Sequence, residues 1–236
     1  MTGPGPARYS DAAVLDAWHK NAAPWTDTVR AQAIESRRLV TDHAIVETAL
    51  RHAPHSALDL GCGEGWLTRA LVARGVRTHG VDAIPALIDA ARLADPGAPA
   101  ERYACLSYEA IADGALNARF DRVLCNFSLL GFEAVDRLIG AIPTLLTPHG
   151  ALIVQTLHPL LVAGDAPYRD GWRDGSWAGC EGTFGEPAPW YFRTLGSWLA
   201  LLRASGLELR ELAEPLHPHS GRPASLILVV TAAAIR

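Results

Sequence analysis

The chain has 236 residues, 49% hydrophobic and 19% charged, with no homopolymeric tract, a composition that excludes the disordered and fibrous classes. Twenty-one Lys and Arg against 25 Asp and Glu give a formal net charge of -4, which argues against a strongly basic nucleic-acid footprint. The four cysteines, Cys62, Cys105, Cys125 and Cys180, have no Cys-x-x-Cys spacing and offer neither a disulfide framework nor a zinc signature.

Residues 1–8, with Gly3, Pro4, Gly5 and Pro6, read as a mobile tail. They lack a basic-then-apolar leader, and no apolar run of about 18 residues occurs anywhere, so the expectation is a cytoplasmic protein without a membrane partner. Helical patterns follow near 11–22 and 34–52, and Pro24 is expected to break the chain between them. From residue 55, strands are expected near 56–60, 76–81, 101–106, 121–126 and 150–156, alternating with helices near 66–74, 84–94 and 133–146. That alternation implies βαβ units and a parallel sheet covered on both faces.

After residue 157 the rhythm stops. Residues 157–193 are rich in Gly, Pro and Asp and hold seven of the 17 aromatics, before a helix near 194–204 that ends at Ser205-Gly206. Two last strands, near 207–214 and 225–232, are joined by too short a segment for a crossover helix and should pair antiparallel. The whole reads as one α/β domain: an N-terminal helical cap (1–52), a core (53–156), an aromatic-rich insertion (157–193) and a closing helix with two strands (194–236).

The most informative stretch is Ala57-Leu58-Asp59-Leu60-Gly61-Cys62-Gly63-Glu64-Gly65-Trp66-Leu67, an apolar strand entering a glycine-rich turn and then a helix. Glycines there let a ligand lie against bare backbone. Twenty-one residues after Gly61, a second strand ends at Asp82. In an open parallel sheet the two tips are neighbours, so Asp82 can accept hydrogen bonds from both hydroxyls of a ribose. A dinucleotide site would need its third glycine at position 66, which is Trp66, so a nucleoside without a pyrophosphate is favoured.

LDLGCGEG followed by GVDAIPALIDAAR resembles motif I and its successor in class I S-adenosylmethionine-dependent methyltransferases. FDRVLCNFSLL (120–130) and LLTPHGALIVQTLHP (145–159) resemble that family's fourth and fifth strand regions, and the flanks are similar to its small-molecule members. The resemblance implies a Rossmann-like fold with a seven-stranded, mostly parallel sheet whose last strand is antiparallel. It also implies S-adenosyl-L-methionine as cofactor and S-adenosyl-L-homocysteine as product. By the same likeness Asp59, Gly61, Cys62 and Gly63 surround the methionine part, Asp82 the ribose, and Ala83 and Ile84 the adenine. Where the family often has an acid after the third strand stands Ser107, so its hydroxyl, or the backbone of Leu106 and Ser107, takes that place. Asn126, with Phe127, faces the sulfonium or else caps a turn.

Arg37 or Arg38 is suited to the cofactor's carboxylate by the two-pronged guanidinium, unless both are solvated or paired at the surface. Trp18 and Trp25 from the cap, with Tyr168, Trp172, Trp177, Trp190 and Tyr191 from the insertion, suit a pocket for a flat or apolar small molecule. His158, directly after the fifth strand, is the candidate general base, or else a substrate anchor or an ordinary loop histidine, with His19, Tyr168 and Tyr191 weaker candidates for the base. His217 and His219 read as solvent-facing, without a third ligand and hence without a metal. The function expected is methyl transfer to an O, N or C nucleophile of a small, aromatic or heterocyclic metabolite. The alternatives are an RNA base methyltransferase and an inactive cofactor-binding subunit. A homodimer is compatible with all three.

Overall fold

The computed structural model describes residues 7–233. Residues 1–6 of the expected tail lie outside them, and Arg8 is not loose: its guanidinium pairs with Asp174 at 2.8 Å. Five parallel strands, β1 (Ser56–Leu60), β2 (Arg77–Asp82), β3 (Tyr103–Cys105), β4 (Phe120–Asn126) and β5 (Leu146–Thr156), alternate with helices as expected. They join β8 (Leu207–Ala213) and β9 (Leu226–Ala232) in a seven-stranded sheet of order β3-β2-β1-β4-β5-β9-β8. β9 runs antiparallel to both β5 and β8.

The sheet is covered on both faces, as its strand composition requires. On one side Leu58, Val123 and Val154 pack against α6 (Glu133–Leu145) and α8 (Leu195–Ala204). In α6 the residues Val135, Leu138, Ile139, Ile142 and Leu145 repeat at helical spacing and are all buried. On the other side Ala57, Leu124 and Ile153 pack against α2 (Asp42–Leu50) and α3 (Trp66–Val72). The sheet reverses its winding between β1 and β4, and a crevice opens at the carboxyl ends of these strands.

Three expectations are corrected. Pro24 does not end the first helix: α1 runs Asp11–Arg30 with Pro24 inside it. A proline in a helix interior costs about 3 kcal/mol, and burial of Ala22 with Trp18 and Trp25 against Ile84 and Leu87 at the start of α4 (Pro85–Leu93) offsets that cost. The helix expected over 34–52 contains a π-helical turn, Arg37–Thr41, before α2. The insertion is also less irregular than its composition suggests. It carries a short helix α7 (Pro159–Ala163) and a two-stranded ribbon of β6 (Gly171–Arg173) and β7 (Trp190–Phe192), and a further short helix, α5 (Tyr108–Ala112), follows β3. No helix among the described residues is long and apolar enough to cross a membrane.

Candidate active site

The crevice is built around the turn that leaves β1. Gly61 has φ +71° and Gly63 φ +57°, left-handed values that side chains disfavour. The Gly61 and Cys62 amides both donate to the Val81 carbonyl, at 2.8 and 3.0 Å, which ties the turn to β2. A Cβ at Gly61 would collide with Ser128 and Tyr108, and one at Gly63 would point toward Trp25. Beside the turn, Asp82 accepts from the Gly63 N–H through Oδ2 and from the Ile84 N–H through Oδ1, both at 2.9 Å. Burial pushes its carboxyl above the usual range while these amide bonds oppose the shift. Its position is fixed, and each oxygen keeps a lone pair for a further donor.

A cavity of about 740 Å³ opens from this point, lined by Gly61, Cys62, Gly63, Asp82, Ala83, Ile84, Ser107, Asn126 and Phe127. Arg37 lines it and Arg38 does not. The Arg37 guanidinium lies 4.8 Å from the centre of the Trp66 ring and donates to Asp42 at 3.0 Å, whereas Arg38 is exposed. Trp66 therefore fills the place of a dinucleotide site's third glycine with a ring stacked beneath a cation. The same π turn that presents Arg37 also aims the Thr41 carbonyl at the buried Gln155, whose Nε2 donates to it at 3.0 Å and to Asn126 Oδ1 at 3.0 Å. A carbonyl can only accept, so the Gln155 orientation is fixed, and with it that of Asn126, whose amino group is left to face the cavity as a donor.

The roof is aromatic and comes from two distant segments. Trp18 and Trp25 on α1 meet edge to face at 5.2 Å, and Trp177 of the insertion packs edge-on to Trp18 at 5.9 Å while stacking on Phe184 at 4.1 Å. Asn21, 1% exposed, clasps the two segments: its Oδ1 accepts from the Gly185 N–H at 2.8 Å and its Nδ2 donates to the Glu186 carbonyl at 3.0 Å. Six of the seven tryptophans line the cavity.

Residues 58–154 match the family described as "Methyltransferase domain". That stretch runs from β1 through β5. Its fold is the class I, Rossmann-like one, as in a Burkholderia thailandensis 1,6-didemethyltoxoflavin-N1-methyltransferase solved with 1,6-didemethyltoxoflavin and S-adenosylhomocysteine bound. That structure matches at TM-score 0.64 and 20% identity over 99% of this chain and 93% of that one. An S-adenosylmethionine-dependent methyltransferase from Mesorhizobium loti matches at TM-score 0.59 and 23% identity, over 79% and 95% of the two chains. Among curated relatives, a ubiquinone biosynthesis O-methyltransferase from Xylella fastidiosa is 33% identical over 108 residues, 45% of this chain and 43% of that protein. A malonyl-[acyl-carrier protein] O-methyltransferase from Halorhodospira halophila is 29% identical over 112 residues, 47% and 37% of the two. The chain thus spans less than half the length of these curated relatives.

Several expected site residues stand away from the cavity. Asp59 is buried beneath the glycine turn, where Thr68 Oγ1 donates to it at 2.9 Å and burial pushes its carboxyl up to about 7. Leu106 spends its amide on the Asp82 carbonyl, and the Ser107 hydroxyl caps α5 by accepting from the Ala110 N–H, so Ser107 reaches the lining with one hydroxyl lone pair engaged. Tyr168 is 42% exposed and its hydroxyl accepts from the Leu195 amide; Trp172 packs edge-on to Tyr191 outside the lining.

His158 is the main correction. Leu157 and Pro159 line the cavity while the residue between them faces away, buried, with Nε2 donating to Glu214 Oε1 at 2.6 Å. In that position it braces the segment after β5 against the segment after β8. Tyr191 does line the cavity, stacked on Phe132 at 4.3 Å, and burial pushes its phenol above the ordinary value, which keeps it a proton donor. Sequence reasoning missed Asp11, Tyr108, Glu109, Ser128, Arg173 and Arg193 of the lining; of these only Ser128 lies in a stretch, 120–130, that carries the family resemblance. The N-cap pattern at Ser107 could have signalled that Glu109 sits on the first turn of a helix at the site.

Proposed function

We propose that the protein is an S-adenosylmethionine-dependent methyltransferase acting on an O, N or C nucleophile of a small, flat aromatic or heterocyclic molecule. The observation that carries this reading is the glycine turn and Asp82 opening directly into a cavity roofed by indoles. The residues present fit the cofactor: a side chain at Gly63 would project into the space a nucleoside needs, Asp82 offers free lone pairs for a ribose, and Arg37 offers a guanidinium for a carboxylate. Glu109, on the lining, supplies the acid that Ser107 lacks for an adenine amino group. A methyltransferase of the same fold, solved with 1,6-didemethyltoxoflavin and S-adenosylhomocysteine bound, is in line with a small-molecule acceptor.

When bound, S-adenosylmethionine supplies an electrophilic methyl group on a sulfonium. Asp82, Arg37 and the glycine turn would hold the cofactor, and the methyl it would supply would pass to a nucleophilic atom of the acceptor while sulfur keeps the pair of the carbon–sulfur bond. The chain's own residues align and dry the reactants. Trp18, Trp25 and Trp177 exclude water and present π faces to a planar acceptor, while the Asn126 amino group donates to an acceptor atom. His158 is turned away and Tyr191 holds its proton, so the reading relies on an acceptor that is nucleophilic without a strong base from these two groups.

The test is transfer of labelled methyl from the donor to a panel of small aromatic and heterocyclic compounds, with bulk RNA alongside. Label in a small molecule is expected; label confined to RNA overturns the acceptor class. Asp82→Ala should abolish calorimetrically measurable S-adenosylhomocysteine binding in a variant with native circular dichroism. Near-native affinity there removes the ribose assignment.

A further inference from the structure

Two imidazoles and a carboxylate from opposite ends of the chain meet outside the cavity. His217 and His219 flank Pro218 in the loop between β8 and β9, and Glu35 comes from the N-terminal cap, 182 and 184 residues earlier in sequence. One ligand-capable atom from each of the three lies within 4.8 Å of the other two. Glu35 Oε1 is 3.7 Å from His219 Nδ1, and the two imidazole centres are 5.4 Å apart at 74°. The third donor that the sequence could not supply for the two histidines is therefore present.

The loop that carries them is tight. The His217 amide donates to the Arg222 carbonyl at 2.8 Å, the Gly221 amide returns to the His217 carbonyl at 2.9 Å, and the Ala224 amide donates to the Pro215 carbonyl at 2.7 Å. The proline removes one backbone freedom between the two rings. The His219 amide points at His217 Nδ1 over 3.4 Å, a long contact in which that nitrogen must be the acceptor, so it carries a lone pair. As a mere ion pair the Glu35–His219 contact is worth little, because both side chains are more than half exposed. Two imidazoles beside it change the chemistry.

We propose that Glu35, His217 and His219 form a binding site for a borderline divalent transition ion, zinc being the expected occupant, with water completing the fourth position. Two nitrogens and one oxygen suit zinc, nickel or cobalt and do not suit magnesium or calcium, which take oxygen donors. Tetrahedral coordination wants donors about 3.4 Å apart, so the trio closes by small rotations of exposed side chains. Bound metal would clip the N-terminal cap to the C-terminal hairpin. Glu35 sits between Ile34 and Ser36, both of which line the cavity, so the clip would stiffen one part of the rim.

The experiment is titration of chelator-stripped full-length protein with zinc chloride against a chromophoric indicator, with magnesium chloride as contrast. One zinc per chain at a dissociation constant in the micromolar range is expected, without magnesium competition. His217→Ala, His219→Ala and Glu35→Gln should each weaken it about tenfold or more. In a parallel melting experiment, zinc should raise the transition of the wild type and leave that of the His217→Ala/His219→Ala double variant unmoved. No saturable uptake, or uptake and thermal shift unchanged in the double variant, overturns the site.

Discussion

Asp59 shows what a single residue at the base of the site does to the energetics. Its carboxyl is buried under the glycine turn with one hydroxyl donor, and desolvation holds its folded value at about 7, with the nearby Asp82 charge adding to the shift. The unfolded value is about 3.9. The native state therefore binds more protons than the unfolded one between these values, and this group lowers stability as pH rises from about 4 through 7. Asp59→Asn removes the titration while keeping the shape. The melting temperature of the wild type should fall more between pH 5 and pH 8 than that of the variant; equal falls would show that Asp59 is ionised throughout. Gly61 and Asp82 were legible on the cavity wall because the chemistry that marks them is local, a glycine turn or an acid at a strand end, whereas Asp59, expected at the methionine part, lies beneath the turn. His158 was misplaced for an equally local reason: it lies beyond the end of β5, where strand alternation no longer says which side a residue takes.

At the level of elements, α1 and the insertion act as one unit although more than 150 residues separate them. Asn21 satisfies Gly185 and Glu186, and Thr28 Oγ1 donates to the Glu181 carbonyl at 2.8 Å. Asn21→Ala would leave the Gly185 amide and the Glu186 carbonyl without their partner, at a cost of about 1–3 kcal/mol. Limited proteolysis should then cut within 178–186 faster than in the wild type, with the sheet's circular dichroism unchanged; an equal cutting rate would deny Asn21 this role. The helix–strand alternation of the core could be read directly, because each element carries its own periodicity. The continuity of α1 through Pro24 could not, since the burial that offsets the proline comes from Ile84 and Leu87. The choice between Arg37 and Arg38 was likewise hidden, because a π turn has no composition of its own.

On the scale of the whole molecule, the fold is a nucleotide-type sheet with a roof assembled from both flanks. Trp18, Trp25, Trp66, Trp177, Trp190 and Trp198 all touch the same cavity, so its occupancy should register in their emission. S-adenosylhomocysteine is expected to change intrinsic fluorescence along a saturable curve, and a flat titration would place the ligand elsewhere. The aromatic surplus of the insertion pointed to this roof from sequence, whereas its junction with the N-terminal cap appears only in three dimensions. The wide turn at Arg37–Thr41 leads from that cap into α2. A π turn fits one extra residue into nearly the same arc as an α turn, so excising one would let the coil close at about 3.6 residues per revolution with its flanks nearly in phase. The Thr41 carbonyl would then draw away from Gln155 and release the Asn126 amide from its set orientation, so one surplus residue in the coil is felt two hydrogen bonds away at the wall of the crevice.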